Sequence, residues 1–180
     1  MKESIESTLK AQIPYKWRVQ SSRASGCICV AYIDARDAME LLDNAVGAGG
    51  WQDEYYSVGA QTYCKVGVKY EDGWVWKSDS GTQSNIEKEK GLASDAFKRA
   101  CVKHGVGRFL YAMDVIWLPT WKTQGFNGKD EFKPYHDSRN GECPEKYRKK
   151  DSTGKYSLML NEFKLTEYIR EVLKKDVQGS

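Results

Sequence analysis

The chain has 180 residues, 40% of them hydrophobic, with a formal net charge of +3. That length suits one domain with an appendage and a real core, and the mild positive charge permits an anionic partner without demanding one. No apolar run approaches the length that spans a bilayer, and the first residues lack a signal-peptide core, so the expectation is a cytoplasmic protein with no membrane partner.

Residues 1 to 12 read as a short helix that Pro14 breaks. "PYKWRVQSSRASG" then reads as a polar, basic loop, and "CICVAYI" as a short buried strand. Asp34 is an N-cap for a helix in which Ala35, Ala38, Met39, Leu41, Leu42 and Val46 recur at helical spacing, and "GAGGW" ends it. Three strands follow, "WQDEYYSV", "QTYCKVGVKY" and "WVWKSDS". In the middle one Cys64, Val66, Val68 and Tyr70 face one way, and Tyr63, Lys65, Gly67 and Lys69 the other. A three-residue turn at Glu71-Asp72-Gly73 would put Trp74 and Trp76 on the apolar face and Lys77 with the lysines. A two-residue turn would invert that register. The three-residue version is preferred because it keeps one face dry.

A long helix is expected over residues 85 to 104, with Ser84 and Glu87 as a capping box and Gly105 just past its end. Ala93, Ala96, Phe97, Ala100 and Cys101 make one side of it. Lys98 and Arg99 lie on the other and are expected to point away from the sheet, with Asp95 placed for a plain i,i+4 pair with Arg99. After "VIWLP" the chain turns polar, "EKYRKKDSTGKYSLM" reads as a hairpin around Ser152-Thr153-Gly154, and "NEFKLTEYIREVLKK" closes it as an amphipathic helix. The fold class is therefore α+β: an antiparallel three-stranded sheet plus a short strand, covered by a long helix in the order β-α-β-β-β-α, with a C-terminal hairpin-helix extension. Residues 1–118 form the expected core and 119–180 the extension.

Catalytic chemistry finds little support. Gly128-Lys129 lacks the remaining residues of a phosphate-binding P-loop, and His104 and His136 stand in no hydrolase motif. No carboxylate set suggests a nuclease metal site. The five cysteines are odd in number and form no C-x-x-C pair, so they read as buried thiols rather than metal ligands. The expectation is a protein without catalytic residues, metal or cofactor.

Cations instead gather in three places. Lys16, Arg18 and Arg23 lie in the first loop, Lys65, Lys69 and Lys77 on the outer face of the sheet, and Lys98, Arg99, Lys103 and Arg108 around the long helix. Tyr15, Trp17, Tyr63, Phe109 and Tyr111 accompany them. Phosphates need mobile or forked cations and unpaired bases gain from stacking, so this mixture fits single-stranded nucleic acid. By itself it also fits a set of solvated faces.

Three ordered segments narrow the choice: "VAYIDARDAMELLDNAVGAGGWQ", "KYEDGWVWKSDSG" and "EKEKGLASDAFKRACVKHGVGRFLY". Over about residues 13 to 118 the chain resembles the Rad52/Rad22 family of single-strand annealing proteins, in particular its compact bacterial and phage, Sak-type branch. The resemblance implies a homo-oligomeric ring that holds single-stranded DNA in a groove and anneals complementary strands without ATP, in recombination and repair. It implies that the groove uses Lys98 and Arg99 together with an early arginine. Arg18 in "KWRVQ" fits the phage pattern and Arg23 in "SSR" the eukaryotic one. The resemblance is not expected to extend to the large C-terminal half by which eukaryotic members recruit a recombinase, and it leaves recruitment of a recombinase or a single-strand binding protein open. The alternatives are a single-strand DNA or RNA binding module that does not anneal, and a nuclease accessory.

Overall fold

The computed structural model describes residues 4–81, 90–125, 128–150, 156–158 and 161–174. The expected capping box at Ser84 and Glu87 and the turn at Ser152-Thr153-Gly154 lie outside them. The described residues form a mixed α/β structure with antiparallel sheets and four α-helices, and the chain divides into two compact units. One comprises Met1–Pro14 and Ile33–Ala112; the other comprises Tyr15–Tyr32 and Met113–Ser180. Among the described residues no helix is long and apolar enough to cross a membrane.

The first unit begins with α1 (Ile5–Leu9), capped by the Ser4 side chain, and continues with α2 (Ala35–Val46). Asp34 caps α2 as expected: its carboxylate accepts from the backbone N–H groups of Arg36 and Asp37, while the Asp37 carboxylate accepts from the N–H of Asp34. These reciprocal bonds satisfy donors that the helix itself leaves open. Strands β3 (Trp51–Val58), β4 (Gln61–Tyr70) and β5 (Gly73–Ser80) form one antiparallel sheet in that order. Helix α3 (Lys90–His104) packs on β4 and β5, with Ala96, Phe97, Ala100 and Cys101 fully buried. The Phe97 ring meets Trp51 at 5.9 Å, and Cys64, Val66 and Val68 of β4 are fully buried as well.

The expected turn register is overturned. Tyr70 pairs with Gly73, so the β4–β5 connection is the two-residue Glu71-Asp72 turn, and Gly67 pairs with Trp76 and Lys69 with Trp74. Two-residue hairpins are favoured because their twist matches that of the strands, and a shift of one residue turns every side chain of β5 over. Trp74 and Trp76 therefore share the outer face with Lys65 and Lys69, and Lys77 lies on the helix side. β5 is an edge strand, so its inner positions (Val75, Lys77 and Asp79) need not be dry.

In the second unit the segment read as a basic loop is a strand. β1 (Lys16–Arg23) pairs with β2 (Gly26–Tyr32), which pairs with β6 (Ile116–Leu118). Trp17 is buried on the same side as Cys27, Cys29, Ile116 and Leu118. A register shift between Val19 and Ser21 breaks the period-two pattern and hides the strand from a sequence reading. Two short hairpins follow, β7 (Thr120–Gln124) with β8 (Asp130–Pro134), and β9 (Arg148–Lys150) with β10 (Tyr156–Leu158). The second is the hairpin the sequence predicts. Helix α4 (Glu162–Tyr168) continues into one wider turn over Ile169–Leu173. It packs on β1: Leu165 and Ile169 are buried, the Trp17 N–H donates to Thr166 Oγ1 at 2.9 Å, and Arg170 donates to the Tyr15 carbonyl. Phe163 of the same helix is 68% exposed.

Candidate nucleic-acid interface

The cations of α3 are organised by one carboxylate that the sequence did not single out. Asp79 lies on the inner side of β5, opposite Cys64. Arg99 reaches it with a nitrogen–oxygen distance of 3.4 Å, and Lys103, one turn further on, with 3.4 Å to its other oxygen. Burial alone would raise the Asp79 carboxyl. The Ser80 N–H, Arg99 and Lys103 outweigh burial and hold it below the usual carboxylate range. Arg99 therefore leans toward the edge strand rather than away from the sheet, which corrects the sequence expectation. Its Nε is buried without a hydrogen-bond partner, while much of the side chain stays in contact with solvent. Lys98 is half-buried on the neighbouring side of the helix.

Two further candidates, Arg108 and Lys77, serve the end of α3. Arg108 donates through Nε to the Val102 carbonyl at 2.9 Å and through its terminal nitrogen to the Lys103 carbonyl at 2.7 Å. Lys77 donates to the Lys103 carbonyl at 2.8 Å, and Lys103 itself to the Ser78 carbonyl. Cations at a helix C-terminus satisfy orphan carbonyls and meet the negative end of the helix dipole. Close by, buried His104 donates from Nε2 to the Val66 carbonyl at 3.0 Å. Burial first, and then the charges of Lys77 and Arg108, hold His104 below its ordinary pKa against the pull of that carbonyl, so it is neutral near pH 7. Glu6, Lys10, Lys77 and Arg108 border a cleft of about 470 Å³ whose wall also includes Tyr70, Trp74 and His104.

Lys65 and Lys69 stand on the outer face of the sheet. Lys65 is 3.6 Å from Glu54 and its ammonium is 4.4 Å from the centre of the Trp76 ring; Lys69 faces Trp74 across the strand pair. In the second unit Arg18 and Arg23 both lie on one face of the β1–β2–β6 sheet. Pairing puts Lys16, Arg18, Ser21 and Arg23 on the side of Tyr32, Val30, Ile28 and Gly26, with Trp117 opposite Ile28. The Arg18 guanidinium sits 5.3 Å from the Tyr32 ring, and Trp117 is 50% exposed. Gly26 is required beneath that indole: a Cβ there would stand 2.1 Å from Trp117 Nε1, and φ is +138°.

The aromatics named from sequence fare differently. Tyr15 and Trp17 are core residues, Tyr63 lies on the outer sheet face, and Tyr111 is largely exposed. All five cysteines are buried and unpaired in disulfides, as expected. Each unit by itself thus presents cations backed by regular secondary structure, the kind of group that pairs with phosphates.

Comparison with known proteins gives this arrangement a family. The model of the Rad52/22 family of double-strand break repair proteins matches residues 1–124, and the chain belongs to that family. It is similar to the single-stranded DNA-binding protein DdrA of Deinococcus deserti, with 32% identity over 127 residues, 63% of this chain and 60% of that protein. It is likewise similar to DdrA of Deinococcus radiodurans, with 28% identity over 120 residues, 63% of this chain and 57% of that protein. The chain thus spans somewhat under two thirds of the length of these relatives. No solved structure matches it.

Proposed function

We propose that the chain binds single-stranded DNA through its phosphates and anneals complementary strands without ATP, as a homo-oligomer acting in recombination and repair. Family membership and the DdrA relatives, which bear the name of single-stranded DNA-binding proteins, support the first half of this reading. The observation that carries it is the row of cations on α3, where Arg99 and Lys103 stand one turn apart and share Asp79. Lys98 and Arg99 occupy the segment whose family resemblance points to the DNA groove. With α3 laid over the β3–β4–β5 sheet as a rigid backing, these cations meet phosphates with little reorganisation beyond their own rotamers. Arg18 and Arg23, with Tyr32 and Trp117, supply a second basic and aromatic face. One subunit offers few cations for a long strand, so a continuous path requires neighbours.

The test mixes complementary oligonucleotides, one labelled, with and without protein and with no nucleotide added. Annealing should be accelerated by the wild-type chain and much less by Arg99→Ala. A protein that binds the single strand but leaves the annealing rate unchanged would be a binding module only. Cleavage of the strand on addition of Mg²⁺ would favour a nuclease role instead.

A further inference from the structure

Resting on the reading of the chain as a single-stranded DNA binder, we propose that the outer face of the β3–β4–β5 sheet is a base-stacking surface for the strand, centred on Trp74 and Trp76. The two-residue turn puts both indoles outside, where they stack on each other at 5.9 Å with 27° between their planes. They remain 39% and 37% exposed. Gly67 makes room for one of them: a Cβ at that position would stand 2.8 Å from the Trp76 ring, so the indole lies close against the backbone of β4. Held from beneath and braced by its neighbour, the ring has little rotamer freedom left to lose when a ligand stacks on the pair.

The rest of the face suits the same ligand. Tyr56 and Tyr63 pair across the strands and stack at 5.3 Å, with 13° between their planes. Tyr63 is four residues along β4 from Gly67, which places this second aromatic pair roughly 13 Å from the first. Lys65 lies between the two, with its ammonium over Trp76, and Lys69 flanks Trp74. Aromatic platforms with interspersed cations are how proteins hold single strands regardless of sequence, since every base has a π-face. Glu54 is the one acid among the paired positions of this face, and Lys65 takes up its charge at 3.6 Å. A second copy of the chain fits the face less well. Gln52, Glu54, Lys65, Lys69, Ser78 and Ser80 interrupt the aromatics, whereas the centre of a stable protein interface is depleted of charge.

The test compares binding of full-length protein to an oligothymidylate and to an abasic strand of equal length and charge. The wild-type chain should bind the oligothymidylate more tightly. Trp74→Ala and Trp76→Ala should each weaken that binding about 5-fold or more, the loss expected for one base stack, and leave the abasic strand unaffected. The paired change Trp74→Phe with Trp76→Phe keeps the rings but removes the indoles. It should retain the affinity while losing most of the quenching of tryptophan emission that the strand causes. Equal losses on both strands, or no loss on either, would overturn the stacking surface while leaving phosphate binding elsewhere intact. A fall in oligomer mass with unchanged affinity would overturn it in favour of a contact between copies. Failure of the wild-type chain to bind either strand would overturn the single-strand reading and this proposal together.

Discussion

Replacing Asp79 with Asn should strengthen DNA binding, because the carboxylate competes with phosphate for two cations. Arg99 and Lys103 each stand 3.4 Å from it. A phosphate in charge-assisted contact with Arg99 would lie roughly 7 Å from the Asp79 carboxylate. At that separation one unit of repulsion is worth about 0.6 kcal/mol in bulk water and about 2 kcal/mol at the effective screening near a protein surface. Asp79→Asn should therefore tighten single-strand binding by about 3- to 30-fold at low salt. The cost in stability should be small, since ion pairs as exposed as these are worth about 1 kcal/mol or less and Asn retains an acceptor for Arg99. The assay is fluorescence anisotropy of a labelled oligonucleotide titrated at several salt concentrations, with a thermal melt of each variant as control. A variant that melts like the wild type but binds DNA equally or more weakly would show that phosphates do not approach Arg99 and Lys103.

Other elements give independent checks. Because His104 is held below its ordinary pKa of 6.5, its contribution to stability is complete above that value and is lost as pH falls through the depressed folded value. The melting temperature should drop as pH is lowered through 6.5, and His104→Gln, which keeps a donor for Val66 but cannot titrate, should flatten the drop; an unchanged slope would absolve His104. Gly26→Ala forces a Cβ against the Trp117 indole at a positive φ, and should cost roughly 2–4 kcal/mol in denaturant unfolding. Thr166→Val leaves the buried Trp17 N–H without its acceptor and should cost roughly 1–3 kcal/mol, whereas Thr166→Ser should be nearly silent.

Much of the architecture is legible in the sequence because it is written in local chemistry. The Asp34 cap, the period-two pattern of β4 and the small apolar side of α3 each specify one element without knowledge of the rest. β1 escapes a sequence reading for a physical reason: Lys16, Arg18, Ser21 and Arg23 make it polar on its open side, and the bulge after Val19 spoils the alternation that Trp17 and Val19 begin. The orientation of β5 depended on turn length alone. Preferring a dry face put Trp74 and Trp76 inside, yet β4 and α3 supply enough apolar surface to leave both indoles out. The helix cations of the site could be read from residue type and resemblance. Asp79, which organises two of them, could not, because its position follows from the same register.

The central claim is that the protein grips single-stranded DNA by its phosphates through the cations of α3. Its most direct test is the salt dependence of oligothymidylate binding for the wild-type chain, Lys98→Ala and Arg99→Ala. For single strands each phosphate contact contributes about 0.7 to the slope of log affinity against log salt. Each variant should therefore bind more weakly, with a slope shallower by about that amount and an unchanged melting temperature. Variants that match the wild type in both affinity and slope would contradict the account, as would a wild-type chain that fails to bind the strand at low salt.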